Sequence, residues 1–374
     1  MARMTRLAVA AAVLLLVVGG TARAALVWSV ETVAETDNVG RQTSLALDGS
    51  TPHIAYYDYT NGDLEYAYWT GSAWAFQTLD STNDVGKMPS LELDSSGDFH
   101  IAYFDETNDD LRYATGDTTS WNTSSVDTTG STGYFPSLEL NSSGYPVVSY
   151  VDNTNTNLRY GIYNGSTWGF STADSASIAF QTSLELDSNL PRISYYESSS
   201  DDLKYASWDG SSWALTTVDS TGDVGLYSSL VLDGSGYGHI SYYDTTNGDL
   251  KYAYEDSGGW HPTTVESTND VGQYTSIALI DGEPAISYYD VTNGDLRFAL
   301  YDGADWTFYT VDSTGDVGWS SSLQITPAGW ARISYYDATN GDLKYAMATP
   351  EPSTVALALL SLGFGGFYVR RRKK

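Results

Sequence analysis

In the segment YYDYTNGDLEYAYW, residues 56–69, Asp58, Asn61 and Asp63 crowd between two apolar runs. Such a group of oxygen donors suits two kinds of chemistry. A hard cation such as Ca2+ collects carboxylate, carboxamide and carbonyl oxygens, and Asp58, Asp63 and Asp84 could converge on one. Alternatively, Asp58 and Asp63 bond backbone N–H groups at the ends of a hairpin turn, with Asn61-Gly62 supplying the residues that tolerate positive φ. The segment lacks the alternating Asp-x-Asp-x-Asp pattern and the bidentate glutamate of a specific calcium loop. In two kindred segments, DNTNTNL and ESSSDDL, Asn157 replaces Asp63 and Ser200 replaces Asn61. Turn chemistry survives those exchanges better than a ligand set, so a turn is expected and no cofactor is assigned. Calcium is the alternative.

Other chemistry is sparse. There is no cysteine, which excludes disulfides, thiolate catalysis and cysteine-zinc sites. Of His53, His100, His239 and His261, the first three occupy one repeated strand position, the mark of a structural slot. No nucleophile and distinct base converge in the pattern, so no catalytic residue is assigned and the chain is expected not to be an enzyme.

The elements behind the motif are repeats. Its acidic residue recurs as Asp58, Asp105, Asp152, Glu197, Asp244, Asp290 and Asp337, at spacings of 45 to 47 residues. A period of this size marks a repeat architecture. Each unit holds four short alternating runs, in the first SLALD, HIAYYD, LEYAYW and WAFQTL, and nothing in the body has helical periodicity. The fold class is therefore all-β: a seven-bladed β-propeller with four antiparallel strands per blade. The last unit stops after three runs, and WSVETV at Trp28 supplies the Trp-led fourth. Blade seven is expected to close with this N-terminal strand, which removes a free sheet edge.

In this frame the second-to-third-strand turns and the blade connectors share one face, where the acidic motifs gather. Before the repeated serine (Ser44 in the first unit) lie positions that vary from unit to unit. Arg41, Lys87, Tyr134, Phe180, Tyr227, Tyr274 and Trp319 among them form the candidate ligand face at the channel mouth. Aromatic rings beside carboxylates and amides suit stacking on sugars; the other reading is that these side chains only plug the channel.

The formal charge is −29, from 18 basic and 47 acidic residues. Eight of the cations lie in the two ends, so residues 25–349 hold ten cations against 46 carboxylates, a net −36. Nucleic acid and anionic lipid are repelled by such a surface, and divalent or polymeric cations attracted.

The ends carry addresses. Residues 1–24 combine a basic start, an apolar run and small Ala22 and Ala24, the form of a signal peptide that signal peptidase cleaves before Ala25. Residues 350–374 hold Pro350-Glu351-Pro352, an apolar run over 354–369 expected to form a short transmembrane-like helix, and Arg370, Arg371 and Arg372 before two lysines. That order resembles the PEP-CTERM sorting signal. The resemblance implies a Gram-negative bacterium, recognition by an exosortase-type membrane protease, transient anchoring of the tail in the inner membrane, and release to the outer surface, matrix or medium. The seven-repeat body of 25–349 resembles tandem-repeat propellers of bacterial surface proteins. The short turns WTGSAW, WDGSSW and YDGADW are similar to the Asp-box of sialidase-like propellers but lack its spacing, since Gly210 directly follows Asp209. The expected function is a non-catalytic binding or matrix protein that contacts exopolysaccharide or another glycan. The alternatives are a glycan-acting hydrolase or lyase at the channel mouth, and a calcium-dependent adhesion module.

Overall fold

A computed structural model describes residues 25–175 and 179–351. Ala22, Ala24, Pro352, Arg370, Arg371, Arg372 and the apolar run 354–369 lie outside the described residues, and no described helix is long and apolar enough to cross a membrane. Val27–Thr349 form one unit. Beyond it, the Glu351 N–H donates to the Ala25 carbonyl at 3.0 Å.

The repeats become seven separate four-stranded antiparallel sheets. Blade one runs through Val39–Asp48, Thr51–Asp58, Asp63–Trp69 and Trp74–Asp80 from the inner to the outer strand. Blades two to six begin with the inner strands Val85–Leu93, Thr132–Leu140, Ala179–Asp187, Val224–Leu232 and Val271–Ile280. Blade seven is Val317–Ile325, Ala331–Asp337 and Asp342–Pro350, closed on the outside by Leu26–Ala34. The N-terminal strand is thus the clasp that the Trp28 alignment predicts.

Alternation gives each sheet two apolar faces, and the core lies between blades. One buried cluster joins Tyr66 and Leu64 of blade one to Ile101 and Tyr103 of blade two. At every seam, the aromatic ring at the Tyr66 position meets the outer-strand tryptophan of the next blade edge to face, with centroids 4.9–5.8 Å apart. Trp28 keeps this contact with Phe298, so the borrowed strand packs like the other six.

The inner strands are tied into a closed ring by the repeated serine. Each of the seven serine hydroxyls accepts the backbone N–H of the next blade's inner strand at 2.9–3.2 Å, and Ser322 closes the circle on Leu45. At six of the seven seams a glycine is required by close approach. At Gly86, φ is +93°, and a Cβ would lie 2.5 Å from the Leu64 Cα.

The TNGD turn differs in detail from the expected hairpin. It is a four-residue loop in which the Gly62 N–H donates to the Asp58 carbonyl at 2.8 Å. Only Gly62 has positive φ; Asn61 does not. Asn61 serves through its side chain, whose amide donates to Asp58 Oδ2 at 2.7 Å. The Thr60 and Asn61 N–H groups donate to Asp58 Oδ1 at 2.8 and 3.1 Å. Asp58 therefore caps the turn, while Asp63 stands opposite it in the ladder.

Two predictions follow from these contacts. Deleting residues 25–33 should expose the edge of blade seven, and the protein should oligomerise or melt at lower temperature in light scattering and calorimetry. A monomer with unchanged Tm would refute the clasp. Thr156 stands at the Gly62 position with φ +57°, a poor conformation for a β-branched residue. Thr156→Gly should therefore stabilise the fold by about 0.5–1 kcal/mol in denaturant titration, despite the added freedom of the unfolded chain.

Candidate functional site

The channel mouth is built by bulges. In each inner strand the ladder shifts register just before the repeated serine. In six blades one residue of the bulge adopts left-handed backbone: Met88, Phe135, Gln181, Tyr227, Tyr274 and Ser320, with φ between +49° and +57°. Left-handed backbone is unfavourable for residues with a Cβ, and here it recurs around a ring. The bulge sends these side chains, with Gln42, into a cavity of about 270 Å³ at the axis. In blades one, two and seven the preceding residue, Arg41, Lys87 or Trp319, stays on the rim. Neighbouring blades hold the bulges in place: Gln42 Oε1 accepts the Met88 N–H at 2.8 Å, and Thr275 Oγ1 donates to the Tyr227 carbonyl at 2.7 Å.

This geometry divides the candidate face. Arg41, Lys87 and Trp319 are rim residues, and with Tyr274 they line a second cavity of about 330 Å³, beside Tyr57, Tyr59 and Glu106. Tyr227 lies in the axial cavity, its ring 4.5 Å from Tyr274. Tyr134 packs on Phe104 at 4.0 Å, and Phe180 on Phe135 at 6.1 Å; neither lines the rim cavity. Tyr274 and Trp319 are nearly parallel, with centroids 5.9 Å apart and planes 20° from each other. Trp319 Nε1 donates to Asp316 at 3.0 Å, which fixes the indole. The Arg41 guanidinium sits 4.7 Å above the Tyr59 ring and makes no ion pair among the described residues. Lys87 lies 3.1 Å from Asp84 and 3.3 Å from Glu106.

The other cations explain why these two matter. Arg112, Arg159, Lys251, Arg297 and Lys344 stand at one third-strand position and pair with carboxylates at the blade seams, and Lys204 at the same position pairs with Glu197 of its own blade. Arg192 and Arg332 donate to the carbonyls of Trp208 and Ala348 at 2.8 and 3.0 Å. Of the ten cations in the body, Arg41 and Lys87 alone line the rim cavity, on adjacent blades.

Two of the three carboxylates weighed for calcium are occupied. Both Asp58 oxygens bind the turn, and Asp84 accepts the Tyr57 hydroxyl at 2.6 Å together with Lys87. Among the described residues, no group of three or more histidine or acidic side chains is placed to hold a metal. The three histidines of the shared position each hydrogen-bond a tyrosine hydroxyl, His53 with Tyr66 at 2.6 Å, His100 with Tyr113 and His239 with Tyr252.

One cluster escaped the sequence reading. Glu92, Glu139 and Glu185 occupy the same inner-strand position in blades two, three and four. Enclosure by protein pushes all three above the usual carboxylate range, Glu92 to about 8, and mutual repulsion adds to the shift at Glu92 and Glu139. The signal was the tetrapeptide SLEL, present three times in succession, where blades one and five have SLAL and SLVL.

Comparison with known proteins decides the tail. Residues 348–373 match the PEP-CTERM protein-sorting motif. The tail is a sorting signal. The motif implies export, a transient C-terminal membrane anchor, and processing by signal peptidase and an exosortase, and so an exosortase-sorted surface protein. No curated protein matches the chain. Solved structures match the propeller. AofleA from Arthrobotrys oligospora is similar with a TM-score of 0.52 at 12% identity, over 78% of this chain and 90% of that one. The polysaccharide lyase Uly1 gives 0.53 at 10% identity, over 86% and 91%. A protein of unknown function from Dyadobacter fermentans gives 0.51 at 11% identity, over 86% and 99%. Likeness at these identities concerns the fold.

The glutamate cluster sets a pH dependence. A carboxyl with a raised folded-state pKa favours folding fully below its unfolded value, near 4.5, and that contribution is lost as pH rises towards 8. Glu92→Gln should therefore raise Tm at pH 8 and leave it nearly unchanged at pH 4.5. Equal shifts at both pH values, measured by calorimetry, would refute the linkage.

Proposed function

We propose that the protein is an exported, non-catalytic glycan-binding protein, sorted by an exosortase to the outer surface or extracellular matrix, with the rim cavity as its binding face. The signal peptide is residues 1–24, the propeller 25–349 and the sorting segment 350–374. The observation that carries the reading is the stacked Tyr274–Trp319 pair beside Arg41 and Lys87, on two bulged strands held in left-handed backbone at Tyr274 and Ser320. Rigid aromatic faces take the apolar face of a sugar ring, and the fixed cations orient its polar substituents. Exopolysaccharide or another surface glycan suits an extended, acidic face of this kind.

A second reading is a glycan-acting hydrolase or lyase. Carboxyls whose pKa is raised by burial and by a neighbouring carboxylate, as at Glu92 and Glu139, are suited to general-acid work, and a polysaccharide lyase stands among the similar structures. The sorting signal is compatible with either reading.

Glycan-array binding of the mature chain, with and without chelator, separates them. Binding should persist in chelator and fall about tenfold or more in Trp319→Ala and Arg41→Ala, as expected for central aromatic and arginine anchors. Binding unaffected by both substitutions would refute the site. Release of shortened or unsaturated oligosaccharides from a bound polysaccharide would establish the enzymatic reading instead.

A further inference from the structure

We propose that two lateral clefts, remote from the channel mouth, are binding sites for neutral saccharides. The first lies between blades two and three and encloses about 410 Å³; the second lies at the equivalent seam between blades five and six and encloses about 440 Å³. Both fall within the size range of ligand pockets, roughly 300–1,000 Å³. They open on the face opposite the TNGD turns.

The walls are the same in kind. Trp168 and Tyr163 of blade three face the His100–Tyr113 pair of blade two across the first cleft. Trp306 and Tyr301 of blade six face His239–Tyr252 of blade five across the second. Each cleft also presents an aromatic ring to solvent, Tyr145 at 40% exposure in the first and Tyr254 at 38% in the second. Between the rings stand hydroxyl and amide groups, Asn122 and Ser124 in the first and Thr263 in the second. Aromatic faces interleaved with neutral donors and acceptors match the alternating C–H and O–H surface of a sugar ring. Neither cleft contains lysine or arginine, the second carries one carboxylate, Glu283, and burial lowers the pKa of both histidines, which leaves the imidazoles uncharged at neutral pH. In a body of net −36 such sites repel acidic sugars and accept uncharged ones.

A natural control shows that the opening is not imposed by blade packing. The seam between blades one and two has the same scaffold, His53, Tyr66 and Trp121, but Phe99 occupies the space. Its ring lies 4.4 Å from His53 and 5.5 Å from Tyr66. At the two clefts the residue in the Phe99 position is Pro146 or Pro284. One side chain closes the site or leaves it open. Two equivalent sites on one rigid body would also bind a repeating polymer with avidity.

The test copies the natural plug. The methyl glycosides of glucose, galactose and mannose, and their 6-deoxy analogues, are screened by saturation-transfer NMR and titrated calorimetrically against the mature chain. The wild type should bind at least one of them with two sites per chain. Pro146→Phe and Pro284→Phe should each remove one site, and the double variant should remove both while keeping the wild-type Tm. Should a phenylalanine variant fail to fold, Tyr145→Ala and Tyr254→Ala should each weaken their own cleft. Trp319→Ala should leave this binding intact, which separates the clefts from the channel mouth. Absence of binding by every glycoside, full binding by the double variant, or loss in Trp319→Ala would overturn the proposal.

Discussion

The assembly depends on a buried phenol–carboxylate–cation contact that crosses the seams between blades. An acidic residue ending one blade's outer strand accepts a tyrosine hydroxyl from the second strand of the next. Tyr103 donates to Asp80, Tyr150 to Asp127, Tyr242 to Asp219 and Tyr335 to Asp312, at 2.6–2.8 Å. These tyrosines are the largest fully buried side chains, so the carboxylates sit where water cannot stabilise them. An Arg or Lys from the third strand supplies the charge, as Lys251 does to Asp219. Burial alone would raise the Asp219 carboxyl, but hydrogen bonds from Lys251 and Tyr242 hold it below the usual range. A buried pair of this kind adds little over an apolar core, but loss of one partner costs about 3–5 kcal/mol, so it fixes which blade meets which.

That constraint accounts for the surface. Five of the ten body cations are drawn into the seams, which leaves few to meet the 46 carboxylates of the body. It also singles out the seam where the chain ends meet. There Ala34 stands in place of the seam carboxylate and Glu65 in place of the cation. The two departures go together: this seam lacks both the acid and the cation that meet at the others. Glu65 instead accepts the Thr78 hydroxyl at 2.6 Å, and burial raises its pKa. Blade one is held to blade seven by other means, the Ser322–Leu45 bond of the inner ring and the Trp74–Tyr345 contact.

Much of this was legible in sequence because it repeats. Seven copies of the acidic motif showed the blade number, and seven Trp-led runs located the clasp, since each tryptophan meets the same partner type at each seam. What repetition hides is direction. Alternation places Arg41 and Gln42 on opposite sides of a strand, but the bulge before Ser44 decides which side is the channel, and that bulge is created by neighbouring blades. For the same reason Tyr227 and Tyr274 were grouped with rim residues, although they sit one position deeper. The role of Asn61 was misread because Asn-Gly suggests a two-residue turn, whereas the Asp58 side chain organises a four-residue one. The glutamate cluster was invisible because each SLEL reads as an ordinary alternating strand; only closure into a ring brings the three carboxyls together.

Function is therefore to be sought where the repeats disagree. The serine ring and the seam contacts are nearly uniform, and uniform positions can hold blades together but cannot discriminate between ligands. The ring fixes each bulge from the adjacent blade, so the bulged residue is free to vary without loss of the frame. Met88, Phe135, Gln181, Tyr227, Tyr274 and Ser320 share one backbone conformation and no side-chain chemistry. A rigid, symmetric scaffold with unlike side chains at equivalent points presents an asymmetric mouth, rich in aromatic rings on blades five to seven and carrying its two cations on blades one and two. Blades seven, one and two meet there, so Trp319, Arg41 and Lys87 lie side by side although they are drawn from opposite ends of the propeller sequence.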